Sequence, residues 1–197
     1  MNIVIIQYNA GNIQSVLYAL ERLGIQAAVS DNVEAIQSAD KVIFPGVGEA
    51  STAMQYLQER GLDQVIKNLH QPVLGICLGM QLMCAYSEEN DTYCLGIFEE
   101  QVKLFKPNKA TIKVPQIGWN TIENLKSDLF NGVTEECYAY FVHGYYASLG
   151  NHTIATTNYV QPYSSALKKN NFYGVQFHPE KSAKVGEQIL QNFLNLS

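Results

Sequence analysis

Val73-Leu74-Gly75-Ile76-Cys77-Leu78-Gly79-Met80-Gln81-Leu82-Met83 turns from strand to helix at its centre. Its first four residues are a short apolar run of the kind buried on both faces of a parallel sheet. Met80 to Met83 form an apolar helical patch. Between them, Gly75-Ile76-Cys77-Leu78-Gly79 has the form G-x-C-x-G, the thiol version of a nucleophile elbow. Glycines two before and two after the cysteine leave room for a tight turn that larger side chains would block. Such a turn lifts Cys77 out of the carboxyl end of the sheet, where α/β folds bind ligands. It also sets the sulfur at a helix N-terminus, whose dipole favours thiolate over thiol, and aims the Leu78 N–H at the place where a tetrahedral oxyanion would form. A lone cysteine is more often a buried structural residue. The glycine frame reverses that preference for Cys77; Cys84, Cys94 and Cys137 lack the frame and read as packing residues.

On the amino-terminal side, Ile3–Ile6 and Val42-Ile43-Phe44 are further buried strands. Ile13, Val16, Leu17, Leu20 and Leu23 recur at helical spacing between them, and Gly24 stops that helix. Ala50, Ala53, Met54, Leu57, Leu62, Val65 and Ile66 give a long amphipathic helix broken near Gly61. Strand and helix alternate in this order in βαβ units, so the fold class is α/β with a doubly wound, mostly parallel sheet flanked by helices. Residues 93 to 122 and 138 to 175 are richer in Thr, Tyr and Val and read as mostly antiparallel strands that extend or flank that sheet. From about Ser182, the residues Val185, Ile189, Leu190, Phe193 and Leu194 mark a closing helix. A chain of 197 residues with no repeat or linker suits a single domain spanning 1–197.

Composition narrows the function classes. Net charge is -5 with no run of Lys or Arg, which disfavours nucleic acid as a partner. No apolar run approaches a membrane span, and the start of the chain lacks the basic region of a secretory signal. The four cysteines form no C-x-x-C pair and no zinc pattern, and no ligand cluster or phosphate loop is visible, so no metal or organic cofactor is expected and a reducing, cytoplasmic location fits.

A thiolate nucleophile needs a base, and Phe177-His178-Pro179-Glu180 follows the strand Tyr173–Phe177. His178 has a pKa suited to taking and returning a proton. Glu180 can fix its tautomer and steady its positive charge. Pro179 stiffens the turn, so both side chains project from one loop. The order Cys, His, Glu differs from the α/β-hydrolase order, which ends on His. Of the remaining histidines, His70 reads as a helix-end residue and His152 as a turn residue.

Gly75-Ile76-Cys77-Leu78-Gly79-Met80-Gln81 with His178-Pro179-Glu180 resembles the class I (triad) glutamine amidotransferases. Tyr8 to Ser15, Pro45-Gly46-Val47-Gly48 with Ala53-Met54, Pro115 to Asn120, Tyr140 to Tyr145 and His178 to Ser182 resemble the branch that serves histidine biosynthesis. The likeness runs from residue 2 to the final helix. It implies glutamine hydrolysis through a γ-glutamyl thioester on Cys77, with His178 as base then acid and Glu180 as its orienter. It also implies an oxyanion hole from Leu78 with Val47 and Gly48, whose backbone reorients before it points correctly. Glutamine would be held by Gly46, Gly48, Gln81, Glu89, His143, Gly144 and Tyr145. The ammonia would pass to a (β/α)8-barrel cyclase subunit that makes imidazole glycerol phosphate and an aminoimidazole carboxamide ribotide. Tyr8, Asn12, Trp119, Asn120 and Lys181 would approach that partner, although each also reads as a core-packing or solvated side chain, Trp119 equally well as a core residue, and His143 to Tyr145 also read as an ordinary strand. Gln7, Asn9, Gln116 and Gly144 depart from the family pattern, and none belongs to the triad. Two alternatives stay open: a triad glutaminase serving another synthase, and a non-catalytic flavodoxin-like binding module.

Overall fold

The computed structural model describes residues 1–9, 11–107 and 112–196. Ala10 of the first motif block, and residues 108–111 within the segment read as antiparallel, lie outside the described residues. The elements run β1 (Ile3–Ile6), α1 (Ile13–Arg22), β2 (Ala27–Ser30), α2 (Val33–Gln37), β3 (Lys41–Phe44), α3 (Ala50–Glu59), α4 (Leu62–Lys67), β4 (Val73–Ile76) and α5 (Leu78–Met83). There follow β5 (Tyr86–Ser87), β6 (Thr92–Tyr93), β7 (Gln101–Leu104), β8 (Gln116–Ile122), β9 (Cys137–His143), β10 (Tyr145–Ala147), β11 (Thr153–Asn158), β12 (Pro162–Lys169), β13 (Phe172–Val175) and α6 (Ala183–Asn195).

Strands β2, β1, β3, β4 and β13 pair in that order, all parallel. Every residue of β1, β3, β4 and β13 is buried. Successive side chains leave a strand on opposite faces, and the contacts follow that rule. Val4, Ile6, Val42 and Phe44 pack with residues of α2 to α5, while Ile3, Ile5, Ile43 and Leu74 pack with α1 and α6. Each fully buried Ile or Leu contributes roughly 1.5–3 kcal/mol, so four-residue strands are held by burial on two faces rather than by length.

Beyond β13 the sheet continues antiparallel through β12 and β10 to β7, and β11 also pairs with β12; with β5 and β6 it reaches eleven strands among the described residues. β8 and β9 form a separate antiparallel ribbon, tied to β11 by the Glu123–Thr156 bridge and by the Thr157 hydroxyl donating to Thr121 O. The middle of the chain thus both extends and flanks the main sheet. The helix break falls at Gly61, with φ +67, and Gly24 ends α1 with φ +75. β2 and α2 are additions to the sequence reading. No helix is long and apolar enough to cross a membrane among the described residues.

Candidate active site

Cys77 sits between β4 and α5 with φ 53 and ψ -110, a backbone conformation that L-residues rarely adopt. The turn is held open by its glycines. A Cβ on Gly79 would stand 1.8 Å from Phe44 O, and one on Gly75 would stand 2.8 Å from the Met80 nitrogen. Only glycine lets α5 descend this close to β3. The β4–β13 ladder runs on into the elbow, where Cys77 N–H donates to Val175 O at 2.8 Å. Because Ile76 and Val175 are register partners, the residues just past the two strand ends, Cys77 and His178, emerge side by side.

His178 is clamped before its ring is used. Its N–H donates to Tyr140 O at 2.9 Å. Its carbonyl accepts the Ser182 hydroxyl at 2.7 Å, and that hydroxyl accepts Tyr140 N–H. Nδ1 lies 2.8 Å from Glu180 Oε1, which leaves Nε2 as the ring nitrogen open toward Cys77. Burial pushes the imidazolium down, but the bonds to Cys77 and Glu180 outweigh it and raise the His178 pKa to about 10. The ring therefore holds a proton beside the sulfur at neutral pH. Glu180 Oε1 also accepts a hydrogen bond from Asn12 Nδ2 at 2.7 Å, while the buried Oε2 has no partner among the described residues.

A cavity of about 200 Å³ opens over the sulfur, lined by Val47, Gly48, Cys77, Leu78, Gln81, Glu89, Val142, His143, Gly144 and Tyr145. Of the residues expected to hold glutamine, six line this cleft and Gly46 does not: its carbonyl accepts Leu78 N–H at 3.2 Å. One expected oxyanion donor is thus engaged by the very strand end expected to supply the other. The Glu89 carboxylate accepts Ala50 N–H at 2.8 Å, and burial raises its pKa. His143 Nδ1 lies 2.6 Å from Tyr145 O, so Nδ1 carries the proton, and Nε2 faces the Tyr163 hydroxyl at 3.3 Å. Burial lowers the His143 pKa to about 4, against the pull of the Tyr145 carbonyl and with help from the charge on His178.

The residues expected at a partner surface divide. Trp119 is 52% exposed and meets Tyr140 edge-on, with ring centroids 5.8 Å apart. Lys181 is exposed, and Asn120 donates to Asn158 O at 3.0 Å. Tyr8 is instead buried against Phe44, its hydroxyl donating to Pro45 O at 2.6 Å, so it braces the strand end beside the cleft. Asn12 points at Glu180. Sequence reading missed Val142, whose carbonyl lies 3.8 Å from Cys77 Sγ, and Gln176, whose amide lies against the same sulfur. A buried polar residue one place before Phe177-His178 was the only available signal for Gln176. His70 lies exposed beyond α4, and His152 stands in a turn with Nδ1 2.9 Å from Glu100. All four cysteines are free.

This arrangement suits thiol-based acyl transfer: a strained cysteine, an imidazole whose pKa is raised, a buried carboxylate and a cleft ending on the sulfur. Comparison with known proteins points the same way. The family described as glutamine amidotransferase class-I matches residues 4–196. An imidazole glycerol phosphate synthase subunit HisH from Bacteroides fragilis is 59% identical over 196 residues, covering 100% of both chains. A HisH from Vibrio cholerae is 44% identical over 202 residues, covering 99% of this chain and 98% of its own. Among solved structures, a glutamine amidotransferase superposes with a TM-score of 0.73 at 18% identity, covering 97% of this chain and 96% of that one; at that identity the likeness is one of fold.

Proposed function

Because the chain belongs to the class I glutamine amidotransferase family, we propose that it is the single-domain glutaminase subunit of an imidazole glycerol phosphate synthase, freeing ammonia through Cys77, His178 and Glu180. The observation that carries this reading is Cys77 held in a strained elbow at the cleft, with the His178 imidazole buried nearby and bonded to the Glu180 carboxylate at 2.8 Å.

The Cys77 thiolate attacks the side-chain carbonyl of glutamine. Backbone N–H groups stabilise the oxyanion, each worth roughly 3–4 kcal/mol. His178 gives its proton to the departing ammonia, leaving a γ-glutamyl thioester. It then takes a proton from water, which attacks the thioester and releases glutamate. The half-buried Glu89 carboxylate gives the α-ammonium of glutamine a charge partner. In the resting arrangement Leu78 N–H is spent on Gly46 O. The Pro45–Gly48 backbone must turn before that donor, and a second one from Val47–Gly48, serve the oxyanion.

Ammonia released into neutral water is mostly protonated and unreactive, so the product needs a docked acceptor. The acceptor in this reading is a (β/α)8-barrel cyclase of the HisF type. Its docking face is the outer side of the β8–β9 ribbon, where Ile117 is 64% and Tyr138 60% exposed beside Trp119, with Lys181 and the Asn12 loop next to it. Free cysteines and a biosynthetic role suit the cytoplasm. Glutamate release by the wild type and by Cys77→Ala, each with and without cyclase and its nucleotide ligand, tests the reading. Release that rises with the complete partner and vanishes in Cys77→Ala is expected. Equal release by both chains would overturn it in favour of a binding module.

A further inference from the structure

Gln176 is fully buried in the turn between β13 and His178, and no step above uses it. Its Nε2 lies 3.6 Å from Cys77 Sγ, within reach of a large sulfur acceptor. Its Oε1 lies 2.8 Å from Gln81 Nε2, and the same Gln81 Nε2 lies 2.9 Å from Tyr145 O.

The direction of this chain of bonds is fixed at its far end. Tyr145 O is a backbone carbonyl and can only accept, so Gln81 must present its NH2 group there. That NH2 has two hydrogens, and the second goes to Gln176, which must therefore turn its oxygen toward Gln81. Its NH2 is left facing the sulfur. Turning the Gln176 amide over would set two NH2 groups against each other at 2.8 Å. Turning both amides over would set the Gln81 oxygen against the Tyr145 carbonyl.

We propose that Gln176 is a further catalytic residue: its side-chain amide, aligned by Tyr145 O through Gln81, donates a hydrogen bond to the Cys77 sulfur and stabilises the thiolate. This rests on the reading of Cys77 as the nucleophile. A hydrogen bond to the charged form lowers the pKa of an acid, and donors to ionised groups are stronger than neutral pairs. The amide holds no proton that the reaction consumes, so it serves every turnover without being reset. Gln81 gains a second role beyond lining the cleft, since a side chain that disturbs it releases Gln176 to rotate.

The test is the rate of iodoacetamide alkylation of Cys77 against pH, resolved by peptide mass spectrometry so that Cys84, Cys94 and Cys137 are scored apart. Thermal unfolding of the same samples shows whether each variant is folded. Gln176→Glu keeps the size of the side chain and puts a carboxylate where the donor was. It is expected to move the Cys77 profile up by about one pH unit or more, equivalent to about tenfold less thiolate at a fixed lower pH. Gln81→Met, one bond further away, is expected to move it in the same direction by less. Profiles unchanged in both folded variants would overturn the proposal while leaving the nucleophile reading intact. Wild-type Cys77 alkylating no faster at neutral pH than an ordinary free cysteine would overturn both.

Discussion

Glu180 has one oxygen bonded twice and one with no partner among the described residues. Asn12 and His178 share Oε1, so the position of the carboxylate, and through it of the imidazole, depends on a side chain 168 residues away in sequence. Asn12→Ala is expected to lower cyclase-stimulated glutamine hydrolysis about tenfold, or about 1.4 kcal/mol of barrier, with little change in the unfolding midpoint; steady-state glutamate assays beside a melting curve check both halves. The two buried histidines of the site make opposite pH statements. His178 holds its proton up to about 10 in the fold, against roughly 6.5 in the unfolded chain. Its contribution to stability is complete below about 6.5 and fades as pH rises to about 10. Urea unfolding of wild type and His178→Gln should therefore show a stability difference that shrinks from pH 7 to pH 10; a constant difference would contradict the charged pair. His143, lowered to about 4 by burial, takes up a proton more readily when unfolded. Stability is lost through it as pH falls from about 6.5 toward 4, and its ring resonances should not titrate until well below pH 6.

The elbow depends on α5 lying almost in contact with the end of β3. Gly79→Ala would drive a methyl group into the Phe44 carbonyl at 1.8 Å, and a backbone atom cannot step aside as a flexible side chain can. The expected result is a loss of about 3 kcal/mol, the upper end of the usual overpacking range, read as a fall in the urea midpoint or as insoluble protein. This junction was legible in sequence because glycine spacing around a cysteine has a steric cause visible in the letters alone. The buried strands were legible for a similar reason: a run apolar at every position has nowhere to go but a two-sided core. β2 was not, since Ala27–Ser30 is only half-buried at the sheet edge and carries no such run. α2 is five residues long, with one buried apolar side chain and an Asn32 cap, too short for periodicity to register. Tyr8 misled as a surface residue because tyrosine suits either place; its hydroxyl found the Pro45 carbonyl, which no local pattern announces. The bond of Asn12 to Glu180 and the place of Gln176 beside the sulfur escaped because those partners are assembled by the tertiary fold rather than by neighbours in sequence.

As a whole, the molecule sets its cleft and its exposed aromatic ribbon on adjoining faces, joined through Tyr140, which touches Trp119 on one side and clamps His178 on the other. A partner docked at the proposed face would thereby be mechanically close to the triad. Trp119→Ala is expected to weaken cyclase binding by about 2 kcal/mol, roughly thirtyfold in Kd, with the isolated chain unfolding as before; calorimetric titration would show it, and unchanged affinity would move the docking face elsewhere. All of this presupposes covalent chemistry at a single sulfur. The most direct measurement is acid quenching of the wild-type complex during glutamine turnover, followed by peptide mass spectrometry. A γ-glutamyl thioester on the Cys77 peptide, absent without glutamine, is the predicted result; glutamate release with no adduct on Cys77, or with the adduct on another residue, would contradict it.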